Sequence, residues 1–250
     1  MARATVLGRL TWQIGEVVET VAETPRVRTL VVDVPEWPGH RAGQHVDLRL
    51  TAEDGYQAVR SYSIASPPEE QMVGLCVERL DDGEVSPYLV DELRVGDQLE
   101  LRGPIGGYFV WEAHLGGPLF LVAGGSGIVP LMAMTRHRIA AGSNVPIKLL
   151  YSSRTPDDVI FQHELESLHT GQNGVEVIQT FTRSQPRGWT GYSRRIDLPL
   201  LEEAGWPSTM NPLAFVCGPT QFVETAATAL LALGYEPGRI KTERFGPTGR

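Results

Sequence analysis

Cysteine is scarce in this chain: only Cys76 and Cys217 occur in 250 residues. Two thiols cannot build a disulfide framework, a four-cysteine zinc site or a four-cysteine iron–sulfur cluster. Any iron–sulfur chemistry is therefore expected on another polypeptide. The six histidines are scattered, with no i, i+4 pair on a recognisable helix, and no metal site is expected. No stretch approaches the roughly 20 apolar residues that span a bilayer. The N-terminus lacks the apolar core of a secretory signal, so a cytoplasmic protein without a membrane span is expected. Positive charge is also short, with 22 Lys and Arg against 30 Asp and Glu and a net charge of −8. Phosphate-backbone recognition needs a concentrated basic surface, so nucleic acid is not an expected partner.

What remains is the composition of a folded enzyme, 42% hydrophobic and 21% charged, with length enough for two modest domains. Two textures divide it. In the first half, short runs alternate apolar and polar positions, as in Thr29 to Val34, His45 to Leu50 and Gln98 to Leu101. Turn-rich stretches such as Trp37-Pro38-Gly39-His40 and Glu53-Asp54-Gly55 separate them. This predicts an antiparallel sheet or small barrel. Ser86 to Leu93 is the exception, a short helix opening with Pro87 for which Ser86 is a candidate cap. From Pro118 onward, apolar runs at Leu119 to Ala123, Ile147 to Tyr151, Val175 to Thr180 and Leu213 to Cys217 alternate with helical stretches such as Ile128 to Ala141 and Gln221 to Leu233. Strand and helix in alternation predict a parallel sheet covered on both faces. The expected fold is an antiparallel β-barrel domain over residues 1–115 followed by an α/β parallel-sheet domain over 116–250. The boundary falls at Gly116-Gly117-Pro118.

Two segments carry ligand chemistry. The run Leu119 to Ala123 leads directly into Gly124-Gly125-Ser126-Gly127-Ile128-Val129-Pro130 and then a helix. Glycines let backbone amides approach a ligand, and amides at a helix start attract phosphate. Taken alone, the loop also fits a plain tight turn, and its spacing is not G-x-G-x-x-G. In the first half, Arg60-Ser61-Tyr62-Ser63 on an extended strand puts Arg60 and Tyr62 on one face and Ser61 and Ser63 on the other. A guanidinium beside a flat aromatic suits a ligand carrying both a phosphate and a planar ring. It also suits a cation–aromatic pair on a sheet surface.

In combination these segments resemble a known family. Arg60-Ser61-Tyr62-Ser63, Gly103-Pro104-Ile105-Gly106, Gly125-Ser126-Gly127-Ile128-Val129-Pro130 and Cys217-Gly218-Pro219 occur in the order and spacing of the ferredoxin–NADP reductase superfamily. The resemblance covers nearly the whole chain and implies a flavin domain followed by an NAD(P)-binding domain. It implies that Arg60 contacts the flavin pyrophosphate, that Tyr62 stacks on the isoalloxazine and that Ser63 lies near the flavin N5. Leu75-Cys76-Val77-Glu78-Arg79 resembles the strand that follows, with Cys76 and Val77 in the cofactor set. Gly83-Glu84-Val85-Ser86 resembles the pyrophosphate-binding turn, which favours FAD over FMN, and Ser86 is read either as helix cap or as phosphate ligand. Gly125, Ser126, Gly127, Ile128, Gly218 and Pro219 fall to the nicotinamide nucleotide. Ser63, Cys217 and Glu243 are implied around the hydride-transfer contact, although a cysteine at a strand end is also a common small core residue. In the family a C-terminal aromatic often covers the flavin, and Phe245 is the aromatic near that position.

The nucleotide's 2′-phosphate distinguishes NADPH from NADH, and arginines bind it well. Arg154 follows the second strand of the α/β half and Arg183 the third, where related bacterial NADPH enzymes carry phosphate-binding arginines. Tyr192, where some of those enzymes have another arginine, and Asp157-Asp158 near Arg154 weigh the other way, leaving NADPH slightly favoured. The expected activity is an FAD-dependent reductase taking hydride from NADPH or NADH and passing electrons to a separate partner such as a ferredoxin, a haem protein or another redox enzyme. The alternative within the superfamily is reduction of free flavin or a small acceptor.

Overall fold

The computed structural model describes residues 10–171 and 174–245. The first six strands are β1 (Gln13–Thr24), β2 (Val27–Asp33), β3 (His45–Thr51), β4 (Gln57–Ser63), β5 (Val73–Glu78) and β6 (Gln98–Ile105). They form one sheet in the order β4-β3-β6-β1-β2-β5, antiparallel at every pairing. A bridge between Ile64 and Leu75 links the two edge strands and curls the sheet into a barrel. Alternation of side chains explains the interior: Val17, Leu30, Val32, Val46, Leu48, Leu75, Val77, Leu99 and Leu101 all point inward and are buried.

The second half builds a parallel sheet from β7 (Leu119–Gly124), β8 (Ile147–Ser153), β9 (Val175–Phe181), β10 (Leu213–Pro219) and β11 (Ile240–Phe245), ordered β11-β10-β7-β8-β9. Helices α1 (Ile128–Ala140), α2 (Gln162–Thr170), α3 (Leu198–Ala204) and α4 (Thr220–Ala232) lie between the strands in sequence. β7 is buried along its whole length, as a strand covered on both faces must be. The chain moves outward from β7 through β8 to β9, then returns to place β10 on the other side of β7. The crevice above the adjoining ends of β7 and β10 is therefore the switch point where open α/β sheets receive ligands. The expected antiparallel barrel followed by an α/β parallel-sheet domain is borne out.

The short helix is narrower than its sequence suggests. It covers Tyr88–Glu92 in a widened turn, with the Leu93 amide donating to the Tyr88 carbonyl. Ser86 does not cap it. The Ser86 hydroxyl instead accepts from the Leu80 amide at 3.0 Å, closing the turn that precedes the helix. The helix starts at Tyr88, so Pro87 holds the cap position and Ser86 lies one residue outside it, where its hydroxyl meets the Leu80 amide.

One core runs between the halves. Ala42, Ala65, Cys76, Phe109 and Trp111 share a cluster with β7 and α1, and the Phe109 and Phe215 rings meet edge to face at 5.3 Å. Arg136 of α1 fastens this junction. Its Nη1 donates to the Ala65 carbonyl at 2.7 Å, its Nε and Nη2 grip Glu164 at 2.9 and 2.5 Å, and the guanidinium lies 4.5 Å over the Phe161 ring. Arg136→Met keeps the aliphatic packing but leaves Glu164 and the Ala65 carbonyl unpaired. We expect a loss of about 2–4 kcal/mol in thermal or urea unfolding, since removing one partner of a part-buried pair costs more than the pair contributes. Wild-type stability in this variant would show that the contact is incidental.

Candidate flavin and nicotinamide site

The cleft between the halves has a volume of about 410 Å³. Barrel residues Gly43, His45, Ser61 and Ser63 line one side, the Gly106 to Phe109 connection runs along it, and Thr242 to Phe245 of β11 close the other side. Its barrel wall follows from strand register. His45 lies opposite Ser63 in the β3–β4 pairing, and Ser61 lies opposite Asp47.

β4 divides its four residues between two faces, as alternation predicts. Ser61 and Ser63 face the cleft. Arg60 and Tyr62 face the other way, where Tyr62 packs partly against the barrel core and burial pushes its hydroxyl up to about 12, with Arg60 acting in the opposite direction. Arg60 donates to the Glu84 carboxylate at 2.6 Å and to the Val59 carbonyl at 2.8 Å. Ser61 Oγ donates to Asp47 at 2.7 Å, and Arg102 reaches the same carboxylate at 2.6 Å. Burial alone would raise the Asp47 pKa, but the bonds from Arg102 and Ser61 outweigh it and hold the carboxyl below its ordinary range.

Ser63, Glu243 and Cys217 come from three separate elements and converge. β10 and β11 pair in parallel with Cys217 opposite Glu243. Ser63 is buried, and its Oγ makes no hydrogen bond of good geometry among the described residues. Burial pushes the Glu243 carboxyl up to about 7, and the nearby Ser63 hydroxyl opposes that rise. Cys217 is fully buried behind the cleft wall, its thiol held well above the ordinary range by burial and then by the Glu243 charge.

The glycine turns meet at the switch point. Gly125–Gly127 forms a tight turn that runs straight into α1. Gly125 has φ of +56°, in the left-handed region that a side chain resists. Gly127 has ordinary backbone angles but no room: a Cβ there would lie 2.1 Å from the Cys217 carbonyl oxygen. Gly218 is buried while Pro219 is exposed, so the β10 turn offers both a close backbone approach and an open rim.

Other sequence candidates are placed differently. Cys76 and Val77 are buried in the two cores, with the Cys76 thiol pushed up to about 12 by burial, and neither lines the cleft. Ile128 is likewise a core residue. Arg154 and Arg183 are exposed, with no side-chain ion pair or hydrogen bond among the described residues, and the Arg183 amide donates to the Arg154 carbonyl at 2.9 Å. Their backbones thus adjoin at the ends of β8 and β9. Asp158 is occupied by Thr155 through both amide and hydroxyl, which takes it out of competition for Arg154. His45 and Asp47 were missed from sequence. Burial lowers the His45 pKa, with the Asp47 charge opposing. Their only sequence signal is alternation along β3, which gives the face but not the strand opposite.

A barrel beside a parallel sheet, with a cleft at their junction and two glycine turns at the switch point, defines a two-domain flavin oxidoreductase that uses a nicotinamide nucleotide. Residues 15–110 match the oxidoreductase FAD-binding domain model and residues 121–228 match the oxidoreductase NAD-binding domain model. The chain belongs to the ferredoxin–NADP reductase superfamily, and its cofactors are FAD and a nicotinamide nucleotide. It is 32% identical over 247 residues to the glycine betaine monooxygenase reductase subunit of Chromohalobacter salexigens, covering 95% of this chain and 66% of that relative. It is 30% identical over 205 residues to NADH-cytochrome b5 reductase 1 of Aspergillus oryzae, covering 79% and 69% respectively. The crystal structure of the Amycolatopsis cytochrome P450 reductase GcoB superposes with a TM-score of 0.83 at 25% identity, over 98% of this chain and 73% of that one. This chain therefore spans about two thirds of the length of its curated relatives. No helix among the described residues is long and apolar enough to cross a membrane.

The residues present fit a flavin. At the cleft the buried Ser63 hydroxyl has no well-aligned partner among the described residues, and glycines at 43, 106 and 107 line the cleft without side chains. On the opposite face of β4, Arg60 stands two residues before Tyr62, a guanidinium beside an aromatic ring.

Proposed function

We propose that the protein is an FAD-dependent reductase that takes hydride from NADPH or NADH and passes electrons to a separate redox protein. The observation that carries this reading is that Ser63 of β4 and Glu243 of β11 line one cleft at the junction of the FAD-binding and NAD-binding halves, with the buried Cys217 of β10 paired opposite Glu243. Bound FAD supplies a two-electron acceptor that can release electrons singly. The protein's part is orientation, because hydride transfer needs donor and acceptor atoms stacked about 3–3.5 Å apart. In this reading the flavin crosses the end of β4, with Arg60 and Tyr62 on one face of the strand taking the pyrophosphate and one ring face, and Ser63 on the other face offering its hydroxyl at the ring edge. Cys217, behind Glu243, packs the floor on which the nicotinamide rests. Glu243 changes protonation near neutral pH and holds or returns a proton at the cleft edge.

Relatives named as a monooxygenase reductase subunit, a cytochrome b5 reductase and a cytochrome P450 reductase support a protein acceptor for this chain as well. A ferredoxin, a haem protein or another redox enzyme all accept single electrons. The test is steady-state turnover of the FAD-loaded protein with NADPH or NADH against a panel: a [2Fe–2S] ferredoxin, cytochrome b5, free FMN and ferricyanide. Saturable turnover of a protein acceptor at low micromolar concentration supports the reading. Turnover of free FMN alone would instead assign the protein to flavin reduction.

The free guanidinium groups of Arg154 and Arg183 favour NADPH. Replacing either one with alanine should raise KM for NADPH about 10–100-fold and leave KM for NADH nearly unchanged, since each charge-assisted contact to a phosphate contributes about 1.5–3 kcal/mol. An equal change for both nucleotides would place the 2′-position elsewhere.

A further inference from the structure

The Arg60 guanidinium already has an anion in its grip. Glu84 Oε2 lies 2.6 Å from Arg60 Nη2, and Glu84 Oε1 accepts a hydrogen bond from the Tyr56 hydroxyl at 3.1 Å. Three separate segments meet here: β4, the turn before it, and the turn that leads into the short helix. A carboxylate and a phosphate satisfy the guanidinium fork in the same way. The Glu84 side chain is 51% exposed and that of Arg60 32%, so the pair is reachable from solvent and its members can exchange partners without disturbing the core.

We propose that Glu84 is a built-in stand-in for the flavin pyrophosphate, held by Arg60 until FAD displaces it. This rests on the reading that Arg60 is the pyrophosphate ligand. When the pyrophosphate takes Arg60, Glu84 keeps Tyr56 as its partner and stays beside the incoming phosphates. Its charge then opposes FAD twice, by competing for Arg60 before binding and by repelling the phosphates afterwards. Glu84 thereby lowers FAD affinity and slows loading, while the empty barrel retains a satisfied guanidinium. The exchange selects against any flavin whose anionic group is too weak to displace a carboxylate.

Direct titration of the flavin-free full chain, followed by quenching of flavin fluorescence, tests this without turnover. Glu84→Gln should tighten FAD about three- to tenfold and speed its association, because removing one exposed charge near a phosphate changes binding by about that factor. Riboflavin, which carries no phosphate, should bind wild type and variant equally. Glu84→Ala, which also frees Tyr56, should shift FAD affinity in the same direction. Unchanged or weaker FAD binding in both variants, with Arg60→Gln still weakening FAD, would overturn the stand-in role alone. An Arg60→Gln variant that binds FAD as tightly as wild type would instead remove the pyrophosphate reading on which it rests.

Discussion

Gly127→Ala should abolish efficient reduction by nicotinamide nucleotides while leaving the flavin bound. The added Cβ would lie 2.1 Å from the Cys217 carbonyl oxygen, 2.4 Å from its carbon and 2.8 Å from the Gly218 nitrogen. All three are backbone atoms, so no side chain can rotate away, and the ends of β7 and β10 must separate. Overpacking of this kind costs about 1–3 kcal/mol in stability. The functional cost is larger, because both turns that shape the crevice move together, and a displacement of about 1 Å at a hydride-transfer site can cost on the order of 100-fold. We expect kcat/KM for NADPH and NADH to fall about 100-fold or more, with the flavin spectrum intact after purification. Gly125→Ala makes the comparison informative. Nothing lies within 4 Å of its Cβ, but its φ of +56° penalises a side chain, so the cost is backbone strain of about 1 kcal/mol and a milder loss of rate. Wild-type reduction by the Gly127 variant would show that the nucleotide does not use this crevice.

Glu243 yields the second large effect, on pH dependence. Its carboxyl is raised by burial to about 7, against an ordinary value of 4.5, with Ser63 pulling the other way. For an acid whose folded pKa exceeds its unfolded one, the folded state binds more protons over the interval between them. Stability is therefore greatest below the unfolded pKa and falls as pH rises from about 4.5 through about 7. The group is partly exposed, so a loss of roughly 2 kcal/mol is expected across that window, below the roughly 3.4 kcal/mol that about 2.5 pH units at 1.36 kcal/mol each would give. Glu243→Gln should flatten the window when unfolding free energies are measured from pH 4.5 to 8. The same variant should remove an ionisation near neutral pH from the rate of flavin reduction. A window that persists in the glutamine variant would assign the titration to another group.

Much of this was legible in the sequence for local reasons. Alternation in Thr29 to Val34 and His45 to Leu50 fixed which residues face the barrel interior, and β2 and β3 fall within a residue or two of those runs. The strand, glycine turn and helix at Leu119 to Ala141 are continuous in sequence, so their geometry is a local matter. The unread features are long-range. His45 reaches the cleft because β3 pairs with β4 in a register that sets it opposite Ser63. Glu84 meets Arg60 across 24 residues, and Arg136 meets Ala65 across 71. Pattern gives a residue its face but does not name the neighbour it will meet. Ser86 shows the converse failure, where a sound capping rule lost to the Leu80 amide because the turn before the helix folds back on itself.

Anaerobic stopped-flow mixing of the FAD-loaded protein with NADPH, and separately with NADH, tests the central claim most directly. The account predicts a yellow protein whose flavin band bleaches in a single saturable phase with at least one nucleotide, and a marked slowing in Ser63→Ala with the flavin still bound. A preparation that takes up no FAD, or one whose bound flavin stays oxidised with both nucleotides, would contradict it.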